Sequence, residues 1–154
     1  MGKKLYHFTA AQHLASILET KLLDLEGRDF VANPLKYPPH LAKILDDQFS
    51  VAGRFLWFTE KSTYNSSNSD GDVEPTLKAT KNEAGIIIDA DEINVKKWHY
   101  VKKENKNNAA FMEIANINDK AAKANGDDPY DWWVSREPVD LTKVNYQVFY
   151  TEDD

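Results

Sequence analysis

The stretch KKLYHFTAAQHLASILETKLL, residues 3–23, decides how this chain is read. Leu5-Tyr6-His7-Phe8 is short and β-prone and reads as a strand. Thr9 ends it, because T-A-A-Q is a capping box with Thr9 as N-cap and Gln12 at the third helical position. Leu14, Ile17, Leu18 and Leu22 follow at helical spacing and give one apolar face. His7 is the unusual choice, since a buried strand would more naturally carry Val or Ile there. At a strand end beside a helix N-terminus it lies near unpaired backbone donors and the positive end of a dipole. That field favours a neutral imidazole able to hydrogen-bond a ligand hydroxyl. The plainer reading is a half-buried histidine bonded to a backbone carbonyl.

Farther along, PPHLAKILDDQF reads as a helix entered through prolines, with Leu41, Ile44, Leu45 and Phe49 inward. RFLWFT is a strand. The polar run that follows has no apolar period, and a mobile loop is expected at 65–83. GIIID is a buried strand with WHYV as its expected partner, and 108–124 form a helix stopped by Gly126. DDPYD is a turn, and WWVS and VNYQVFY are strands joined through REPVDLTK. With no repeats and no linker, the pattern predicts one α+β domain over 1–154 rather than a βαβ series.

Composition narrows the function. At 154 residues, 42% hydrophobic, the chain can build one sizeable core. It contains no cysteine, which removes disulfides, thiol nucleophiles and thiolate metal sites and suits a cytoplasmic setting. MGKKLYH lacks the apolar run of a signal peptide, no stretch approaches a membrane span, and without secretion the sequon at Asn65 has no meaning. Formal net charge is −6, and only Arg28, Arg54 and Arg136 supply guanidinium groups, so binding to duplex nucleic acid is disfavoured. The lysine-rich runs NVKKW and VKKENK read as solvated faces.

Three constellations beyond composition point to chemistry. His7 is the first. The second is FLWFTEKSTY, where Trp57, Phe58 and Tyr64 offer rings for a planar group and Thr59, Ser62 and Thr63 offer hydroxyls. Strand alternation sends Trp57 and Phe58 to opposite faces, so one of them serves the core. The third is DDPYDWWVSREPVDL, where Asp131 precedes an aromatic strand and Glu137 follows in a turn. A carboxylate at a strand edge can bind a ribose 2′-hydroxyl and stabilise an oxocarbenium-like transition state. Asp127, Asp128 and Asp131 cluster without the spacing of a calcium loop, and the histidines at 7, 13, 40 and 99 show no paired spacing. No metal site is expected, and no Walker loop, Rossmann glycine pattern or nucleophile elbow is present.

The order LYHFT…SIL…LL, FLWFT…STY, GIIID, DWWVS resembles the ADP-ribosyltransferase superfamily, in particular small bacterial and phage members of the DarT-like and diphtheria-toxin-like kinds. The resemblance covers most of the chain as an order of segments and is specific in the first twenty residues and in WFT…STY. It implies two small, mainly antiparallel sheets around a cleft for NAD, which serves as substrate. It implies that His7 binds the adenosine-ribose hydroxyls with Thr9 beside it, and that Tyr64 stacks on nicotinamide. Phe58, Thr59, Ser62 and Thr63 complete that stretch. Where the family places a glutamate at the start of a late strand, this chain has Asp131, one methylene shorter, and Glu137 lies beyond the strand.

The resemblance therefore implies a NAD-dependent ADP-ribosyltransferase or NAD glycohydrolase that breaks the nicotinamide–ribose bond, with a protein among the possible acceptors. The Asp-for-Glu departure supports an alternative, a catalytically silent module that binds NAD, ADP-ribose or a related nucleotide signal. An acidic decoy that binds a host protein is a third reading, permitted by the net charge. RNA 2′-phosphotransfer ranks last, because phosphate clamps prefer arginine.

Overall fold

A computed structural model describes residues 3–9, 11–26, 31–61, 84–124 and 126–150. The chain opens with strand β1 (Lys4–Thr9), helix α1 (Ala11–Thr20) and the short strand β2 (Leu22–Leu23). Helix α2 (Pro39–Ala52) and strands β3 (Leu56–Thr59), β4 (Ala84–Asp89) and β5 (Lys96–Lys97) come next. Helices α3 (Trp98–Glu104) and α4 (Ala109–Ala124) precede strands β6 (Trp132–Ser135), β7 (Val139–Asp140) and β8 (Tyr146–Tyr150). The result is an α+β fold.

Six strands form one sheet in the order β5-β6-β3-β1-β4-β8, and β2 pairs with β7 in a small ribbon. Every registered pair among the described residues is antiparallel. Instead of two small sheets around a cleft, one six-stranded sheet carries most of the fold, with β3 meeting β1 where Tyr6 is in register with Thr59, and the second sheet is only the β2–β7 ribbon. β4 is hydrogen-bonded on both edges, to β1 and β8; Ile86 and Ile88 point into one core and Ile87 is half-buried on the other side.

The two faces bury separate clusters. On one, Leu14, Ile17 and Leu18 of α1 pack on Leu5, Leu56, Phe58, Ile86 and Ile88, with Leu23, Val139 and Leu141 closing the layer from the β2–β7 side. Leu14, Ile17 and Leu18 of the apolar stripe read from the opening stretch make this contact, whereas Leu22, counted on the same helical face, lies in β2 because the helix ends at Thr20. On the other face, α2, α3 and α4 cover β3 and β6 through Ala52, Phe55, Trp98, Val101, Phe111, Ala115 and Val134. Trp98 is fully buried, and its indole N–H donates to Asp119 Oδ1 at 2.9 Å, so the ring is desolvated without an orphaned donor.

Helix ends follow local rules. The N–H of Asp127 donates to Ala122 O at 2.9 Å and that of Gly126 to Lys123 O at 3.1 Å, while Gly126 has φ +88°, which is a Schellman stop for α4. Thr9 is the last residue of β1, in register with Ala84, and the capping box read from T-A-A-Q falls partly on residue 10, outside the described residues.

Two local expectations change. WHYV is the first turn of α3, not a strand, because Trp98 and Val101 are three residues apart and both face the helical core; the strand at this place is only Lys96–Lys97. Ile44, expected inward, is 57% exposed, since α2 turns Ala52 into the core. The loop at 65–83 and the residues Ser62, Thr63 and Tyr64 lie outside the described residues.

Candidate functional site

The strand order brings distant segments together. β1 lies beside β3 and β3 beside β6, so His7, the 58–60 stretch and Asp131 stand on three consecutive strands or at their ends. The pairing Thr59–Trp132 puts the end of β3 against the start of β6. There the backbone N–H of Glu60 donates to the carbonyl of Asp131 at 2.9 Å, extending the ladder by one bond.

His7 is half-buried on β1, and its Nδ1 lies 2.8 Å from the carbonyl oxygen of Trp57. A carbonyl only accepts, so Nδ1 carries the proton and, in a neutral ring, Nε2 is the acceptor nitrogen. The carbonyl bond of the plainer reading is therefore present, and it fixes the tautomer that the ligand-binding reading needs. Phe58 packs edge-on to His7, with ring centroids 5.7 Å apart. Its ring is in the core, 2% exposed, so it supports the imidazole and is closed to a stacking ligand. Alternation sends Trp57 to the opposite face, against Phe55, Trp98 and Trp132.

Thr9 and Thr59 are both buried. The Thr59 Oγ1 accepts the N–H of Lys61 at 3.2 Å, which tightens the chain as it leaves β3. This bond turns the Lys61 backbone at the strand end, and the Lys61 ammonium lies 3.8 Å from Asp131 Oδ2.

Asp131 ends the 3-10 turn Pro129–Asp131, which Asp128 opens by accepting the N–H of Tyr130 at 3.0 Å. Its Oδ2 is buried and, among the described residues, accepts no hydrogen bond. Burial raises the Asp131 carboxyl above the ordinary aspartate range; Lys61 opposes that shift, and the charges of Asp128 and Glu60 add to it. Glu137 is elsewhere. It follows the far end of β6, roughly 13 Å of strand away, with its N–H and carbonyl both bonded to Ser135 Oγ and its carboxylate 3.4 Å from Asn94 Nδ2. Asp131 and Glu137 do not share a site.

Glu60 is the acid that motif reading passed over. Its carboxylate accepts the Trp133 indole N–H at 2.6 Å and pairs with Lys3 at 3.3 Å and Lys97 at 3.8 Å. Burial pushes its pKa upward, but the bonds from Trp133 and Lys3 and the charges of Lys3 and Lys97 outweigh it and hold it below the usual glutamate value. Lys97 also stands 5.7 Å over the Trp133 ring. The signal in the sequence was slight: Glu60 directly follows Thr59, but its partners come from β1, β5 and β6.

A hollow of about 10 Å³, room for a single water, lies between the helices and Trp57, lined among others by Phe55, Trp98 and Phe111. It is on the helical face, opposite His7, and is not a nucleotide cleft. Among the described residues no group of three acidic or imidazole side chains is arranged to hold a metal ion, and no helix is long and apolar enough to cross a membrane. Comparison with protein-family models, curated proteins and solved structures gives no match.

Proposed function

We propose that the protein cleaves the nicotinamide–ribose bond of NAD, as an ADP-ribosyltransferase or a NAD glycohydrolase with an ADP-ribosyltransferase-like fold. The observation that carries this reading is the β1-β3-β6 adjacency, which puts LYHFT, FLWFT and DWWVS, three of the four segments of the sequence resemblance, on neighbouring strands. His7, on the strand beside β3 and with its ring held by the Trp57 carbonyl, is the group we assign to the ribose hydroxyls. Asp131 is the carboxylate of choice over Glu137, because its buried Oδ2 has an unfilled acceptor position that a 2′-hydroxyl satisfies.

The chemistry is dissociative. Binding energy from the adenosine end holds the dinucleotide, and Asp131 accepts from the 2′-hydroxyl as positive charge grows on the sugar carbon. Nicotinamide leaves with the bonding electron pair, and water or an acceptor nucleophile attacks the opposite side of the sugar.

Incubation with NAD, with released nicotinamide measured by chromatography, tests the reading. His7→Ala and Asp131→Ala are expected to lose about a hundredfold or more in turnover, and Glu137→Ala to retain it. Saturable NAD binding without turnover supports the silent module that the shorter Asp131 side chain favours. Absence of both binding and turnover refutes both.

A further inference from the structure

We propose that Glu60 is a positioning residue for Asp131, its carboxylate held by Trp133, Lys3 and Lys97 as a fixed negative charge at the end of the neighbouring strand. This rests on the reading of Asp131 as the carboxylate that meets the sugar.

Two groups of contacts carry it. The ladder bond from Glu60 N–H to Asp131 O, with the Asp131 N–H bonded to Asp128 O at 3.0 Å, fixes the backbone that presents the acid. The Glu60 side chain then clamps Trp133, in the strand that the Asp131 turn leads into, and pairs with two ammonium groups. Lys61 faces Asp131 at 3.8 Å. Asp128 in its own turn and Glu60 from β3 face it as negative charges, and Lys97 reaches it weakly from β5. Helix α3, which packs on the turn, stacks His99 against Tyr130 with centroids 4.8 Å apart.

Burial first, then the charges of Asp128 and Glu60, keep Asp131 a stronger base than an exposed aspartate against the opposing Lys61, while Trp133, Lys3 and Lys97 hold Glu60 ionised. A stronger base accepts more tightly from a hydroxyl whose acidity rises as charge develops at the sugar. Glu60 touches neither sugar nor leaving group and acts only through Asp131.

The test uses the full chain with Glu60→Gln, which keeps an oxygen for the Trp133 N–H and removes the charge, and Glu60→Asp as the conservative variant. Carbon-detected NMR titration of the Asp131 carboxyl is read first, because it needs no turnover. The Asp131 midpoint is expected to move to lower pH in Glu60→Gln and to return toward wild type in Glu60→Asp. In the nicotinamide assay, kcat of Glu60→Gln is expected to fall about tenfold with KM within about twofold, and the acid limb of the pH profile to shift with the NMR midpoint. An unmoved Asp131 midpoint in Glu60→Gln overturns the proposal whatever the activity. A moved midpoint in a protein that releases no nicotinamide upholds the Glu60–Asp131 coupling and refutes the NAD reading alone.

Discussion

Gly85→Ala tests the packing that holds β1, and with it His7, in place. Gly85 is the second residue of β4, in register with Phe8 on one side and Phe149 on the other. A Cβ there would fall within bonding-forbidden range of the His7 carbonyl oxygen and 2.5 and 2.7 Å from Cζ and Cε1 of Phe149. The Phe149 ring lies across the glycine, edge-on to Tyr6 at 5.8 Å and to Phe8 at 5.2 Å. Swinging the ring away forfeits those two contacts, each worth about 0.5–1.5 kcal/mol. The His7 carbonyl is backbone and yields only if β1 shifts, an overpacking cost of about 1–3 kcal/mol. The lower chain entropy of alanine in the unfolded state returns about 0.4–1 kcal/mol. The net destabilisation is about 3 kcal/mol, which lowers Tm by roughly 6–12 °C in a domain of this size. Circular-dichroism melts and urea titrations at pH 7 measure it. The double variant Gly85→Ala/Phe149→Ala removes the ring clash and leaves the backbone clash, so it separates the two causes. A Gly85→Ala protein within about 0.5 kcal/mol of wild type would refute the argument, because β1 would then stand farther from β4 than this structure places it.

Trp98→Ala removes a fully buried indole together with its bond to Asp119 and is expected to cost about 3–5 kcal/mol in urea unfolding. Gly126→Ala forces alanine to φ +88° at the end of α4 and is expected to cost about 1 kcal/mol, seen as a Tm drop of a few degrees. The two acids of the site have opposite pH signatures in melts taken across the acid range. The Asp131 pKa is raised in the fold from its ordinary 3.8, so folding binds its proton and stability falls as pH rises through that window; Asp131→Asn is expected to raise Tm at pH 7 and to bring no gain in acid. Glu60 is lowered from 4.5, so its stabilisation is complete above that value and is lost as pH falls through the folded pKa; Glu60→Gln is expected to lower Tm at pH 7, the difference vanishing in acid.

The amino-acid order by itself determined the elements whose signal is local. The β-prone LYHF and the Leu14, Ile17, Leu18 spacing wrote β1 and α1, GIIID wrote a buried strand, and Gly126 wrote the stop of α4. Alternation alone also settled that Trp57 and Phe58 part to opposite faces. WHYV was ambiguous because Trp, Tyr and Val favour strands by propensity, and only the helical core, which buries Trp98 and Val101 together, made it helical. Ile44 has the same hydropathy inside or outside, and the seating of α2 exposed it. The site divides in the same way. His7 and Asp131 could be singled out as residue types in their local settings, whereas the separation of Glu137 from Asp131 and the place of Glu60 beside it depended on which strands are neighbours. Strand pairing joins residues 7, 60 and 131 through hydrogen bonds between segments far apart in the chain, and no periodicity within one segment encodes its partner.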